Sequence, residues 1–242
     1  MPARLLYEIT LRRIHKAETA SAVLEELFEC CRRTGADKFS YHPEIMFEGA
    51  ASSHAEVFSA GYPQEWVDSY IKAGSQMIDP LPDIVLRAAR PMTWMEAVGQ
   101  ISSGAAHQAY VANAIKYGII SGVSFPLWGP KGHNAYLAIG FPNLETRLSE
   151  NLTNALHMVL LVGHQRVHAL TAHDESNPAL SMRECEVLTW VGRGKSNTDI
   201  ASILAISPET VATYTRRIFA KLECHDRIGA VIKALRLGLI RI

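Results

Sequence analysis

Residues 180–222 read LSMRECEVLTWVGRGKSNTDIASILAISPETVATYTRRIFAKL and contain three helix-start signals in succession. Ser181-Met-Arg-Glu184 has the spacing of a capping box, in which serine and glutamate side chains satisfy each other's orphan backbone N–H groups, so a helix is predicted from Met182. Val187, Leu188 and Val191 give it an apolar face, and Gly192 and Gly194 supply the left-handed stop. Ser196 can cap a second helix of about two turns, with Asp199 in its positive first turn and Ile200, Ile203 and Leu204 as its buried stripe. Ser207-Pro208-Glu209 starts a third, with proline where no N–H is needed, and this helix runs to about Leu222. Val211, Ile218 and Leu222 face its core, leaving Thr210, Thr213, Arg216, Arg217 and Lys221 on other faces.

Two short helices joined by a tight turn can place the second in a DNA major groove about 12 Å wide while the first crosses the backbone. The segment therefore reads as a helix-turn-helix, the third predicted helix being the recognition helix. Arg216 is positioned to reach a guanine edge. Lys195, Ser196, Thr198, Ser207, Thr210, Thr213, Arg217 and Lys221 complete the expected DNA-binding set, mostly through phosphates, which fix register without reading sequence. The competing interpretation is a protein-interaction module with a solvated basic face.

Charge supports the first reading. The 242-residue chain is neutral overall, but from Leu180 onward ten Lys and Arg oppose six Asp and Glu, which leaves +4 there and −4 upstream. A basic module can approach a polyanion, and an acidic partner has little tendency to do so. The polar run TAHDESNPA, residues 171–179, cannot contribute to a core and is read as a linker. This gives domains at 1–170 and 180–242.

Upstream, residues 17–34 show helical spacing of Ala22, Val23, Leu27, Phe28 and Cys31. SGVSFPLWG and NAYLAIGF read as strands joined by a turn at Pro130-Lys-Gly, and residues 149–170 read as a long helix. Helices around hairpin-linked strands imply an α+β fold: an N-terminal α/β/α sandwich with a central antiparallel sheet, followed by an all-α four-helix helix-turn-helix domain. Within it, Tyr62, Trp66, Tyr70, Asp79 and Trp94 concentrate aromatic bodies, polar handles and one acid in a single short stretch. That composition suits a small-molecule pocket. It equally suits an i,i+4 core pair, Trp66 with Tyr70, and a turn residue, Asp79, before Pro80.

Residues 180–222, followed by RIGAVIKALRLGLI, resemble the C-terminal domain of LuxR-type regulators, with Glu184, Leu188, Gly194, Thr210, Val211, Lys221 and Leu222 at matching positions. Tyr214 and Ala212 depart from the usual histidine and polar residues there. GYPQEWVDSYIKAGSQMIDP, PMTWMEA and YGIISGVSFPL resemble the autoinducer-binding domain of the same family, so the likeness spans nearly the whole chain. The resemblance implies a quorum-sensing transcription factor that takes an N-acyl-homoserine lactone. In it Trp66 donates to the lactone carbonyl, Asp79 accepts the amide N–H, Tyr62 donates to the acyl carbonyl, and Tyr70 and Trp94 pack around the ligand. Gly122 matches a position where a side chain would crowd the fold. Ala138 stands where many members have a Ser or Thr, and a solo regulator reading a non-lactone or unusual acyl or aryl molecule is the alternative this departure raises.

The implied partners are double-stranded DNA, the autoinducer, a second copy of the chain through a last helix at about residues 228–237, and RNA polymerase. No cofactor is implied. Neither a membrane-length apolar run nor a signal-peptide core is present, and a cytoplasmic location is expected. Cys30, Cys31, Cys185 and Cys224 lack metal-ligand or disulfide spacing. His157, His164 and His168 share one helical face; a metal pair or a polar dimer surface would account for them. No nucleophile elbow or phosphate loop is present, so no enzyme activity is expected.

Overall fold

The computed structural model describes residues 3–45, 57–72, 79–101, 104–171 and 178–242. These residues divide into two compact units, one upstream of residue 172 and one downstream of residue 177.

The upstream unit is organised by a five-stranded sheet of order β2-β1-β5-β4-β3, every neighbouring pair antiparallel. The strands are β1 (Lys38–Ile45), β2 (Phe58–Ala60), β3 (Met92–Thr93), β4 (Gly122–Leu127) and β5 (His133–Gly140). A 3₁₀ turn at Pro130–Gly132 joins β4 to β5, as the sequence predicts. Side chains alternate across a pleated strand, and the alternation sorts this sheet into two chemistries. Phe39, Tyr41, Val123, Phe125, Leu127, Ala135, Leu137 and Ile139 point to one face and join a large apolar core. Ser40, His42, Tyr136 and Ala138 point to the other, where the site lies.

Three helices cover the apolar face: α1 (Ala3–Lys16), α2 (Ala20–Arg32) and α7 (Glu150–Thr171). Thr19 caps α2 by accepting the Ala22 N–H at 3.2 Å. A Cβ on Gly163 of α7 would lie 2.6 Å from Leu27, so glycine is what lets these two helices close. The opposite face carries α3 (Gln64–Lys72), α4 (Leu81–Ala88), α5 (Trp94–Val98) and α6 (Ala105–Lys116). This is the expected α/β/α sandwich. The last turn of α7 reaches Thr171, and most of the expected linker, residues 172–177, lies outside the described residues.

Two of the α7 histidines bond groups of the sheet. His164 is 2% exposed and bonds the Tyr41 hydroxyl at 2.8 Å and the His133 carbonyl at 2.9 Å, while His157 bonds the Pro126 carbonyl at 2.7 Å. The stripe tethers the helix to the sheet, and among the described residues no cluster suits a metal ion. No described helix is long and apolar enough to cross a membrane.

The downstream unit contains α8 (Met182–Gly192), α9 (Asn197–Leu204), α10 (Pro208–Leu222) and α11 (Arg227–Arg236). Both bonds of the Ser181/Glu184 capping box are present, and Ser196 forms a second box with Asp199. Ser207 caps α10 by accepting the Thr210 N–H at 3.1 Å. Val187, Leu188, Ile200, Val211, Ile218 and Leu222 meet in one core. Ile203 does not: it is 44% exposed, because the two-turn α9 buries the face carrying Ile200 and Ala201.

Candidate functional site

Between the polar face of the sheet and α3 to α6 lies a cavity of about 370 Å³. Tyr62, Trp66, Tyr70, Asp79, Trp94 and Ala138, the six positions singled out in the sequence, all line it. Trp66 and Tyr70 are a turn apart on α3 and do pack together, rings 5.9 Å between centroids, yet both also face the cavity. The core-pair and pocket descriptions are therefore both true of them.

Asp79 immediately precedes α4. Its Oδ1 accepts the Leu81 N–H at 2.9 Å, which is turn chemistry, and its Oδ2 accepts the hydroxyls of Tyr70 and Tyr110, each at 2.9 Å. Burial disfavours the charge and wins over these three donors, pushing the carboxyl up to about 6. Burial and the neighbouring carboxylate raise both tyrosine hydroxyls in turn, so they remain protonated donors. Tyr70 thus donates to Asp79 in addition to the packing that the sequence resemblance implies. Asp79 is an acceptor held from two sides.

Trp94 opens α5, where Thr93 supplies the N-cap by accepting the Glu96 N–H at 3.2 Å. Its indole lies across β4: a Cβ on Gly122 would fall 2.4 Å from Trp94 Cε2 and 2.4 Å from the Ile139 carbonyl oxygen. A glycine is needed there for the indole to form the cavity wall. The Trp94 indole N–H is buried and unpaired among the described residues.

Ala138 is 2% exposed on the cavity floor, and its cross-strand partners are Ser40 on β1 and Ser124 on β4. The hydroxyl absent from position 138 is thus present on both neighbouring strands. Ser40 Oγ lies 3.4 Å from the Tyr62 hydroxyl, and Ser124 Oγ lies 2.9 Å from that of Tyr136. Sequence reasoning missed Ser40, His42, Tyr110 and Tyr136. The Ser/His against Phe/Tyr alternation along β1 was the available signal for the first two.

In the downstream unit, Arg216 and Arg217 are exposed on α10, away from Val211, Ile218 and Leu222, and have no ion-pair partner among the described residues. Lys195 and Thr198 are exposed near the start of α9, and Ser196 and Ser207 are occupied as N-caps. Thr213 bonds the Glu209 carbonyl at 3.0 Å. Lys221, expected at a phosphate, is instead drawn inward: its Nζ bonds Glu184 Oε2 at 2.6 Å and the Ala179 carbonyl at 3.1 Å. Burial disfavours the Glu184 charge, but Lys221 and the Ser181 cap outweigh it and hold the carboxyl below the usual range. Arg227 joins α11 to the start of α9 through Asn197 Oδ1 at 2.9 Å and the Lys195 carbonyl at 2.8 Å.

An aromatic cavity with one fixed carboxylate, in a chain that also carries a basic helix-turn-helix, defines a ligand-responsive regulator. The family comparisons agree. Residues 19–167 match the autoinducer binding domain, and residues 178–234 match the bacterial regulatory proteins of the luxR family. The quorum sensing-dependent transcriptional regulator RpaR of Rhodopseudomonas palustris is 31% identical over 183 residues, covering 75% of this chain and 74% of that protein. The transcriptional activator CarR of Pectobacterium carotovorum is 29% identical over 214 residues, covering 83% and 85%. The crystal structure of SdiA from Escherichia coli shares the fold, with a TM-score of 0.73 at 22% identity over 98% of both chains. The protein belongs to the LuxR family of autoinducer-binding transcriptional regulators of quorum sensing, a family of regulators and not of enzymes.

Proposed function

We propose that the cavity holds an N-acyl-homoserine lactone and that its occupancy sets how a dimer of this chain binds DNA. The observation that carries this is Asp79: a buried carboxylate fixed by Leu81, Tyr70 and Tyr110 beside Trp66 and Tyr62. An acceptor kept in place at the expense of its own ionisation suits a single directed amide N–H. The Trp66 indole then donates to the lactone carbonyl, Tyr62 donates to the acyl carbonyl, and Trp94 packs against the ligand. Ser40, beside Tyr62, compensates for the hydroxyl that Ala138 lacks.

On DNA, Arg216 reads a base edge, while Arg217, Lys195 and the exposed hydroxyl of Thr198 meet phosphates. Lys221 contributes by holding α10 against α8. The copies pair in part through α11, where Ile228 and Ile232, one turn apart, are 73% and 37% exposed. RNA polymerase is the further partner such a regulator engages. The domains divide at residues 171–179.

Thermal melting of the full chain with N-acyl-homoserine lactones of four to twelve acyl carbons tests this reading. At a hundredfold excess over Kd a cognate lactone stabilises by about 2.7 kcal/mol, a shift of several degrees. No saturable shift across the series would sink the lactone assignment. Ala138 specifically favours a second reading, a regulator of this fold that takes a different amphiphile; a shift with cell extract free of lactones, absent with the lactones, would establish it.

A further inference from the structure

The cavity wall holds a polar group that these head-group contacts leave unused. β1 turns both Ser40 and His42 toward the cavity. Ser40 has the Tyr62 hydroxyl, and the hydroxyls of Ser124 and Tyr136 satisfy each other at 2.9 Å. His42 has no such partner among the described residues. Its ring sits between Tyr70 and Tyr136, edge-on to both at 5.8 and 5.3 Å between centroids, and makes no hydrogen bond among the described residues. Burial pushes the imidazole down to about 4, so at neutral pH it is uncharged and offers one N–H donor and one nitrogen acceptor. Those two nitrogens face the cavity, and covering them without a partner is costly. A wholly apolar ligand tail would leave that penalty in place, and an oxygen atom would remove it.

Tyr70 fixes where such an oxygen belongs. Its hydroxyl is on Asp79 and its ring is against His42, so a phenol ring separates the two groups along the cavity. A ligand whose amide is on Asp79 therefore reaches His42 with atoms further along its acyl part. We infer that His42 is a specificity-determining residue that selects an acyl group bearing a second hydrogen-bonding oxygen beyond the amide carbonyl. This rests on the lactone reading above.

The test titrates the full chain, following quenching of the cavity tryptophans, with N-hexanoyl-homoserine lactone and its 3-oxo, 3-hydroxy and 6-hydroxy derivatives. The wild type binds at least one oxygenated lactone about tenfold more tightly than the hexanoyl compound. His42→Phe, which keeps the ring contacts, brings that ratio to within about twofold, and His42→Gln, which keeps a donor and an acceptor, retains it. His42→Leu replaces His42→Phe if the latter does not fold. Equal wild-type binding of all four compounds, a comparison that needs no variant, overturns the inference, as does a preference that survives in the apolar variant. Failure of every lactone to bind removes the underlying reading and the inference with it; hexanoyl binding without any oxygen preference removes the inference alone.

Discussion

Replacing Asp79 by asparagine should change how the stability of the ligand-free protein depends on pH, and in a direction opposite to ordinary surface carboxylates. In the folded chain the Asp79 carboxyl is raised from 3.8 to about 6, chiefly by burial. Folding therefore favours its protonated form. Below pH 4, where it is protonated folded or unfolded, it imposes no penalty. As pH rises toward 6 the unfolded chain ionises first, stability falls, and above about 6 the deficit is constant. The shift corresponds to at most about 3 kcal/mol. Asp79→Asn cannot ionise and should lack this component, so urea midpoints of the two proteins should diverge between pH 4 and 6.5, with the wild type losing ground relative to the variant. A ligand amide N–H on the carboxylate favours its charged form, so lactone affinity of the wild type should rise with pH over the same window and level off above 7. The variant's affinity should be weaker and flat. Parallel pH profiles for the two ligand-free proteins would refute the burial argument, and a lactone affinity independent of pH would refute the contact.

Other consequences follow from single contacts. Tyr110→Phe removes one of the two phenol donors on Asp79, so the carboxyl should titrate above 6 and the rise of lactone affinity with pH should move upward, with a loss of roughly tenfold at pH 6.5. Gly122→Ala pushes a methyl group into the Ile139 carbonyl and the Trp94 ring; a stability loss of about 2 kcal/mol and weakened lactone binding are expected in calorimetry and titration. Lys221→Met leaves Glu184, 2% exposed, without its cation, and should destabilise the downstream unit by about 2 kcal/mol in chemical denaturation. Arg217→Ala should weaken binding to all DNA sequences alike and lower the salt slope by about one, whereas Arg216→Ala should weaken cognate DNA selectively, both measured by anisotropy across a salt series.

The downstream unit was legible because its instructions are local. Ser181, Ser196 and Ser207 each cap a helix through an N–H three residues on, so start signals can be read without knowing what packs where. The one apolar error, Ile203, lies on a helix too short for a period of 3.6 to distinguish neighbouring faces. The bonds of two α7 histidines were not legible for a different reason: their partners Tyr41, Pro126 and His133 come from strands at least 31 residues away.

The upstream site was legible only in part. Tyr62, Trp66, Tyr70 and Asp79 stand out because they crowd one stretch of chain, and resemblance gave them roles. Tyr110 reaches Asp79 from α6, 31 residues later, and Ser40 and His42 arrive through the register of β1 with β5. Nothing short of strand pairing brings them together. The same pairing places Ser40 and Ser124 on either side of Ala138, which turns an apparent loss of a hydroxyl into a displacement of it.

The central claim joins the cavity to the duplex, and the affinity of the full chain for its operator DNA, measured by fluorescence anisotropy with and without saturating acyl-homoserine lactone, addresses it directly. The account predicts that the lactone shifts the dissociation constant at least fivefold in the wild type, and that Asp79→Asn needs a higher lactone concentration to reach the same shift. An operator affinity identical with and without a lactone shown to be bound would contradict it.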